Sequence, residues 1–211
     1  MAVNLVTGGV RSGKSRFAEH ILLDVPDVTF VAPHQPQDGD RERDLEWAAR
    51  VDRHRATRPA HWRTVETLDV AALLWQPGGA VLFDCVGTWL TGIVDRAGLW
   101  GDLAAARELV QQEGAALAAA LRATRRLVVV VTNEVGWSLV PDNPAGRFFQ
   151  DELGRLNAQL AALTRMVFLV VAGRVIELGE APAVPPRRDP ADRPDLTILA
   201  DLARRQDDAG W

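Results

Sequence analysis

The feature that most constrains this chain is the run Leu5-Val6-Thr7-Gly8-Gly9-Val10-Arg11-Ser12-Gly13-Lys14-Ser15. A short apolar strand leads into a glycine-rich turn, and a helix opens at Lys14. Gly8 and Gly13 flank four residues and Lys14-Ser15 follow, which completes the phosphate-loop pattern G-x-x-x-x-G-K-[ST]. The glycines let the backbone wrap close to a phosphate chain with its N–H groups turned inward. The helix beginning at Lys14 adds the positive end of its dipole. Gly8, Gly9, Val10, Arg11, Ser12, Gly13, Lys14 and Ser15 are therefore the expected nucleotide-binding set. Lys14 is expected to reach the outer phosphates, and the Ser15 hydroxyl to ligate Mg²⁺. Lys14 is also the only lysine in the chain; every other fixed cation is arginine. A compact, flexible ammonium has been kept at the one place where it differs chemically from a planar guanidinium fork.

At 211 residues the chain has room for one α/β domain with a substantial core and an appendage. The hydrophobic share of 47% is that of a globular protein. A net charge of −4 argues against general nucleic-acid binding. The single cysteine, Cys85, excludes an internal disulfide and points to a reducing cytoplasm. It reads as a small buried residue after a strand rather than a catalytic thiol. The N-terminus runs directly into the first strand, so no secretory leader is read there. The apolar runs Leu127–Val131 and Met166–Val171 are strand-length and too short to span a bilayer.

Along the chain, apolar spacing predicts a helix over Ser15–Leu23, ended by Pro26-Asp27, and a buried strand over Val28–Val31. A polar loop, Pro33–Asp40, carries His34. Asp44–Arg55 reads as a charged amphipathic helix, Trp62–Glu66 as a short strand and Leu68–Trp75 as a short helix. Ala80–Phe83 is an apolar strand ending in Asp84. A carboxylate at such a tip is where phosphate-loop enzymes hold a Mg²⁺–water shell. Helices are expected over Thr88–Val94, Leu103–Ala123 and Arg147–Leu163, with a break over Gly98–Gly101. Leu127–Val131, Met166–Val171 and an edge segment Arg174–Leu178 read as strands. Thr132-Asn133-Glu134-Val135-Gly136 follows a buried strand and so faces the ligand crevice of an open α/β sheet. Strands alternating with helices predict a mainly parallel central sheet with helices on both faces. The domain is expected over residues 1–178. From Gly179 to the end, repeated prolines among charges read as a tail, with helical spacing over Leu196–Arg204.

Four stretches, the phosphate loop among them, carry a family resemblance. Thr7 to Arg16 closely resembles the T-G-G-x-R-S-G-K-S-R signature of the bifunctional adenosylcobinamide kinase / adenosylcobinamide-phosphate guanylyltransferase family of cobalamin synthesis. Glu46-Trp47-Ala48-Ala49-Arg50-Val51-Asp52-Arg53-His54, with Arg58 beyond, is similar to its E-M-x-x-R-I-x-x-H-x-x-x-R segment. Asp84-Cys85-Val86-Gly87-Thr88-Trp89-Leu90 resembles its strand-end segment. Thr132-Asn133-Glu134-Val135-Gly136, then Val140-Pro141-Asp142-Asn143, Arg147-Phe148 and Asp151, resemble its T-N-E-V-G-x-x-x-V-P-x-N-x-x-x-R-x-F-x-D block, which Gly154 and Asn157 continue. The resemblance runs in the family's order over residues 3 to about 178.

The resemblance implies a RecA-like phosphate-loop fold, a homotrimer and two reactions. A nucleoside triphosphate, ATP or GTP, gives its γ-phosphate to the aminopropanol hydroxyl of adenosylcobinamide. GTP then guanylylates a histidine, and GMP passes to adenosylcobinamide phosphate to give adenosylcobinamide-GDP. By position, His54 corresponds to that histidine. A neutral imidazole is a competent nucleophile near pH 7, and its phosphoramidate is labile enough to be handed on. Arg50, Arg53, Arg55 and Arg58 surround it in sequence. On a helix, Arg50 and Arg58 share its face, where guanidinium groups suit an α-phosphate and leaving pyrophosphate. The resemblance also implies nucleotide contacts at Pro33, His34 and Glu66, and Mg²⁺ organised by Asp84 with Ser15. Asn133 and Glu134 are expected to meet substrate or the metal shell. His61 is a weaker candidate, and His20 reads as structural. The chain departs from the family pattern in a longer stretch between Val31 and Glu46, in Pro33-His34, and in the tail after Gly179. Two alternatives stand beside this assignment: a phosphate-loop kinase of another small molecule, and a RecA-like nucleotide switch without catalysis.

Overall fold

The computed structural model describes residues 3–34, 59–179 and 181–184. The chain divides into two units, Met1–Ala181 and Pro182–Trp211, and the elements below belong to the first. In chain order the strands are β1 (Val3–Gly8), β2 (Val28–Ala32), β3 (Arg63–Glu66), β4 (Ala80–Asp84), β5 (Val128–Val131), β6 (Met166–Val171) and β7 (Arg174–Glu177). The described helices are α1 (Lys14–Ile21), α2 (Val70–Trp75), α3 (Val86–Ala97), α4 (Leu103–Ala123) and α5 (Pro144–Ala161), with a 3₁₀ turn at Leu99–Gly101.

The seven strands form one sheet in the order β3-β2-β4-β5-β1-β6-β7. Every pairing is parallel except that of β7, which runs antiparallel to β6. The valine run of β5 is buried throughout, as a strand covered on both faces requires. The period of two then divides the central strands between two cores. Val128 and Val130, with Val81 and Phe83 of β4, pack with residues of α2, α3, α4 and α5. Val129 and Val131, with Leu82 and with Phe30 of β2, pack with Ala18 and Leu22 in the α1 region. The expected α/β architecture, RecA-like with a phosphate loop after β1, is the one observed: β5 lies between the phosphate-loop strand and the strand ending in Asp84.

Local chemistry sets the helix ends. Asp102 caps α4 by accepting from the amides of Ala104 and Ala105. Asn143 caps α5 through Gly146 N at 2.7 Å, and Pro144 occupies the first helical position. These signals start α5 three residues before the expected Arg147. α3 likewise starts at Val86 rather than Thr88 and closes on left-handed Gly98. Close packing of α4 against α5 depends on Gly114, where a Cβ would lie 2.7 Å from Leu156 Cδ2. Between the same helices sits Glu152, 1% exposed, bonded by Arg107 Nε at 2.7 Å and by the Arg155 guanidinium. The helices expected over Asp44–Arg55 and Leu196–Arg204 lie outside the described residues.

Candidate nucleotide site

Parallel order brings the C-terminal ends of β1, β2, β3, β4 and β5 to one edge of the sheet. Gly8, Ala32, Glu66, Asp84 and Val131 end these strands, and an open α/β sheet binds its ligands at such an edge. The phosphate loop leaves β1 there. Gly8 has φ 152°, and a Cβ on it would lie 2.3 Å from the carbonyl oxygen of Val170 on β6. Only glycine lets the loop start that close to the neighbouring strand. Arg11 and Gly13 both take left-handed backbone, at φ 58° and 101°, a reversal that turns successive amides toward one side. Across the loop, Gly173 in the β6–β7 turn donates its N–H to the Ser12 carbonyl at 3.0 Å.

Lys14 is 8% exposed, and its Nζ donates to the Gly9 carbonyl at 3.2 Å. The ammonium is therefore held against the loop backbone, with two further N–H donors to offer. The Ser12 hydroxyl is buried without a hydrogen-bond partner. A polar atom left so inside an anion cradle fits a phosphate oxygen as its acceptor. Gly9 has open space around it, and Val10 is 80% exposed at the rim.

The tip of β5 closes onto this loop. Glu134 N donates to the Gly8 carbonyl at 3.1 Å, and Thr7 Oγ1 donates to Glu134 Oε1 at 2.7 Å. The carboxylate is thus fixed at the start of the phosphate loop. Thr132, fully buried, donates from Oγ1 to Asn157 Oδ1 at 2.6 Å, and Asn157 Nδ2 donates to the Asn133 carbonyl at 3.0 Å. α5 thereby holds the strand-tip backbone. Gly87 sits beside the Asn133 side chain, whose Oδ1 would lie 3.4 Å from a Cβ there.

Asp84 pairs in register with Val131, and Val131 with Val6. Two strand spacings of about 4.8 Å put the Asp84 backbone about 10 Å from that of Val6. A serine hydroxyl and one carboxylate are hard oxygen donors of the kind Mg²⁺ takes when phosphates and water complete its shell. Among the described residues no group of three or more His, Cys, Asp and Glu is placed to hold a metal alone. Next to Asp84, the Cys85 thiol lies 3.2 Å from Thr88 Oγ1. Burial first, and the Asp84 charge second, push its pKa up, which favours the protonated thiol; the residue is half-buried rather than fully buried as expected. At the other flank, His34 N donates to Ala32 O at 2.8 Å, which places Pro33-His34 at the end of β2, and Thr67 N ties the end of β3 to the same carbonyl.

The structure thus collects the phosphate-loop residues, Pro33, His34, Glu66, Asp84, Asn133 and Glu134 at one edge of the sheet. His54, Arg50, Arg53, Arg55 and Arg58 lie outside the described residues. Sequence reasoning gave no role to Thr7 or Gly173. A small residue pair between two apolar runs signals a turn at Ala172-Gly173, but nothing local says that the turn meets Ser12.

A parallel sheet whose first strand opens a phosphate loop, with carboxylates at the tips of β4 and β5, defines a nucleotide-handling RecA-like domain. Residues 4–178 match the family described as cobinamide kinase / cobinamide phosphate guanyltransferase, and the chain belongs to that family. It is 42% identical to the bifunctional adenosylcobalamin biosynthesis protein CobU of Salmonella typhimurium, over 80% of this chain and 95% of that protein. With the protein of the same name from Escherichia coli it shares 40% identity, again over 80% and 95%. A solved ATPase of the type III secretion system of pathogenic bacteria covers 80% of this chain and 50% of its own, at 12% identity and TM-score 0.47.

Proposed function

We propose that the protein phosphorylates adenosylcobinamide with ATP or GTP and then transfers GMP from GTP, through His54, to adenosylcobinamide phosphate. The observation that carries this is a complete phosphate loop, with the Glu134 carboxylate fixed at its start, inside a family match covering most of the chain.

In the first reaction the acceptor hydroxyl oxygen bonds to the γ-phosphorus, and the bond to the β–γ bridging oxygen breaks. The nucleoside diphosphate leaves and the hydroxyl proton passes to a carboxylate, which Glu134 supplies. Lys14, the loop amides and the Ser12 hydroxyl hold the phosphates in line, and such positioning is most of what phosphoryl transfer asks of a protein. Ser15 and Asp84 would hold Mg²⁺, which would supply charge neutralisation on the phosphate oxygens.

In the second reaction an imidazole nitrogen of His54 bonds to the α-phosphorus of GTP and pyrophosphate leaves. A phosphate oxygen of adenosylcobinamide phosphate then bonds to that phosphorus as the nitrogen–phosphorus bond breaks, giving adenosylcobinamide-GDP and free histidine. Arg50, Arg55 and Arg58 hold the anionic groups, and Pro33, His34 and Glu66 line the nucleotide. Asn133 faces the acceptor.

A homotrimer and a cytoplasmic location belong to the same proposal. Exposed apolar residues on the outer strands, Val171, Val175 and Ile176, support self-association. No helix among the described residues is long and apolar enough to cross a membrane. The proposal is tested by incubating adenosylcobinamide with ATP and Mg²⁺ and measuring its phosphorylation. Wild type is expected to convert it, and Lys14→Ala to lose at least about two orders of magnitude in rate. An unmodified corrinoid with nucleotide bound would contradict it.

A further inference from the structure

The segment that leaves Glu134 carries its apolar side chains outward. Trp137 is 67% exposed, Leu139 92% and Val140 78%. This is not an unstructured excursion, because its polar groups are bonded inward. Ser138 Oγ donates to Val135 O at 3.0 Å, and Gln150 Nε2 of α5 donates to Val135 O and to Ser138 Oγ, each at 2.9 Å. Arg147 Nη1 donates to Pro141 O at 2.8 Å. Pro141 also packs over Gly146, where a Cβ would meet it at 2.7 Å. The Val135 and Pro141 carbonyls and the Ser138 hydroxyl are thus tied to α5 or within the segment, while Trp137, Leu139 and Val140 face water, an arrangement that marks a recognition surface.

Its place in the chain says what it recognises. The segment starts at Glu134, whose amide is bonded to Gly8 of the phosphate loop. Three trans peptide steps keep the Trp137 backbone within about 11 Å of Glu134. Whatever accepts the γ-phosphate must put its hydroxyl at that loop, so its remaining bulk lies over the neighbouring surface. From Val135 to Pro141 the chain carries no charged side chain. A surface of this kind suits a broad, largely apolar macrocycle with neutral amide substituents, and is a poor match for a sugar phosphate or a charged peptide.

We propose that Trp137, Leu139 and Val140 form the platform on which the corrin ring of the acceptor rests. The platform sets corrinoid affinity for phosphoryl transfer, separately from nucleotide binding at the phosphate loop. It rests on adenosylcobinamide being the acceptor, and the test separates the two. Full-length protein is titrated with adenosylcobinamide, with binding followed by quenching of tryptophan fluorescence and by calorimetry. GTP affinity and sedimentation are measured in parallel. Trp137→Ala and Leu139→Ala are each expected to weaken corrinoid binding by about tenfold or more, as truncating a buried aromatic or aliphatic anchor does. Trp137→Phe is expected to bind calorimetrically within a few-fold of wild type, and all three to keep wild-type GTP affinity. In turnover the loss should appear in KM for the corrinoid rather than in kcat. Unchanged corrinoid affinity in both alanine variants would overturn the platform. So would dissociation of an oligomer with corrinoid affinity intact, since the surface would then meet a second copy of the chain. Corrinoid that binds wild type and is lost on truncation, yet is never phosphorylated, would uphold the platform and refute the kinase assignment.

Discussion

Thr7 and Glu134, 127 positions apart in the sequence, are joined by a 2.7 Å hydrogen bond at the mouth of the phosphate loop. The bond fixes one carboxylate oxygen of Glu134 and leaves the other for chemistry. Thr7→Val keeps the branched shape and removes the donor. Phosphorylation of adenosylcobinamide is expected to slow by about tenfold, and Glu134→Gln to slow it by about 10²-fold or more, since the carboxylate proposed as base is gone. Formation of the GMP adduct on GTP alone should be near wild type in both. Steady-state kinetics with intact-mass analysis checks this; equal loss of both activities would make the pair merely structural.

Gly8 and Gly9 are adjacent and should behave oppositely. A Cβ at Gly8 collides with a backbone oxygen at 2.3 Å, whereas one at Gly9 meets nothing within 4 Å. Gly8→Ala is expected to cost about 2–3 kcal/mol in stability and to abolish nucleotide binding, because backbone on both sides must move. Gly9→Ala should remain within about 0.5 kcal/mol of wild type, as changes without a steric or polar cost do. Urea denaturation with GTP titration distinguishes them.

Asn157 links the buried Thr132 hydroxyl to the Asn133 carbonyl. Asn157→Leu leaves both without that partner and is expected to destabilise by about 1–3 kcal/mol. The Asn133 tip is also expected to loosen, seen as faster amide exchange of Asn133 and Glu134. Unchanged exchange would show that the β5 ladder alone holds the tip.

Much of the fold was legible because its signals are local. The strict valine run of β5, the Gly8-to-Ser15 spacing and the alanine-rich stretch of α4 each carry their own period or pattern. The missed helix starts had local causes too: Asn143-Pro144 is a cap followed by a first-turn proline, and it moves α5 upstream. What was not legible is pairing at a distance. Thr7 with Glu134, Thr132 with Asn157 and Gly173 with Ser12 are contacts made by strand order, and no residue spacing encodes strand order. Those expected site residues that the structure describes lie at one edge because each ends a parallel strand or follows one. The motif around His54, by contrast, was readable only through family resemblance, since a lone histidine among arginines has no period or cap of its own.

Cys85 reports on the charge beside it. Burial and the negative Asp84 both favour the neutral thiol, so the thiolate forms only above the ordinary cysteine range. Alkylation by iodoacetamide at pH 8 is expected to be slow in the folded protein. Asp84→Asn removes the second cause, lowers the thiol pKa toward its usual value and should speed labelling several-fold at the same pH. A rate unchanged by Asp84→Asn would leave burial as the only cause.

The central claim, that one chain both handles a γ-phosphate and carries GMP on His54, is tested most directly by intact mass after incubation with GTP and Mg²⁺ without corrinoid. Wild type is expected to gain one GMP that acid removes, as a phosphoramidate requires. His54→Asn is expected to gain none while still phosphorylating adenosylcobinamide with ATP. A wild-type protein that binds GTP yet gains no mass, or a His54→Asn variant that still gains it, would contradict the account.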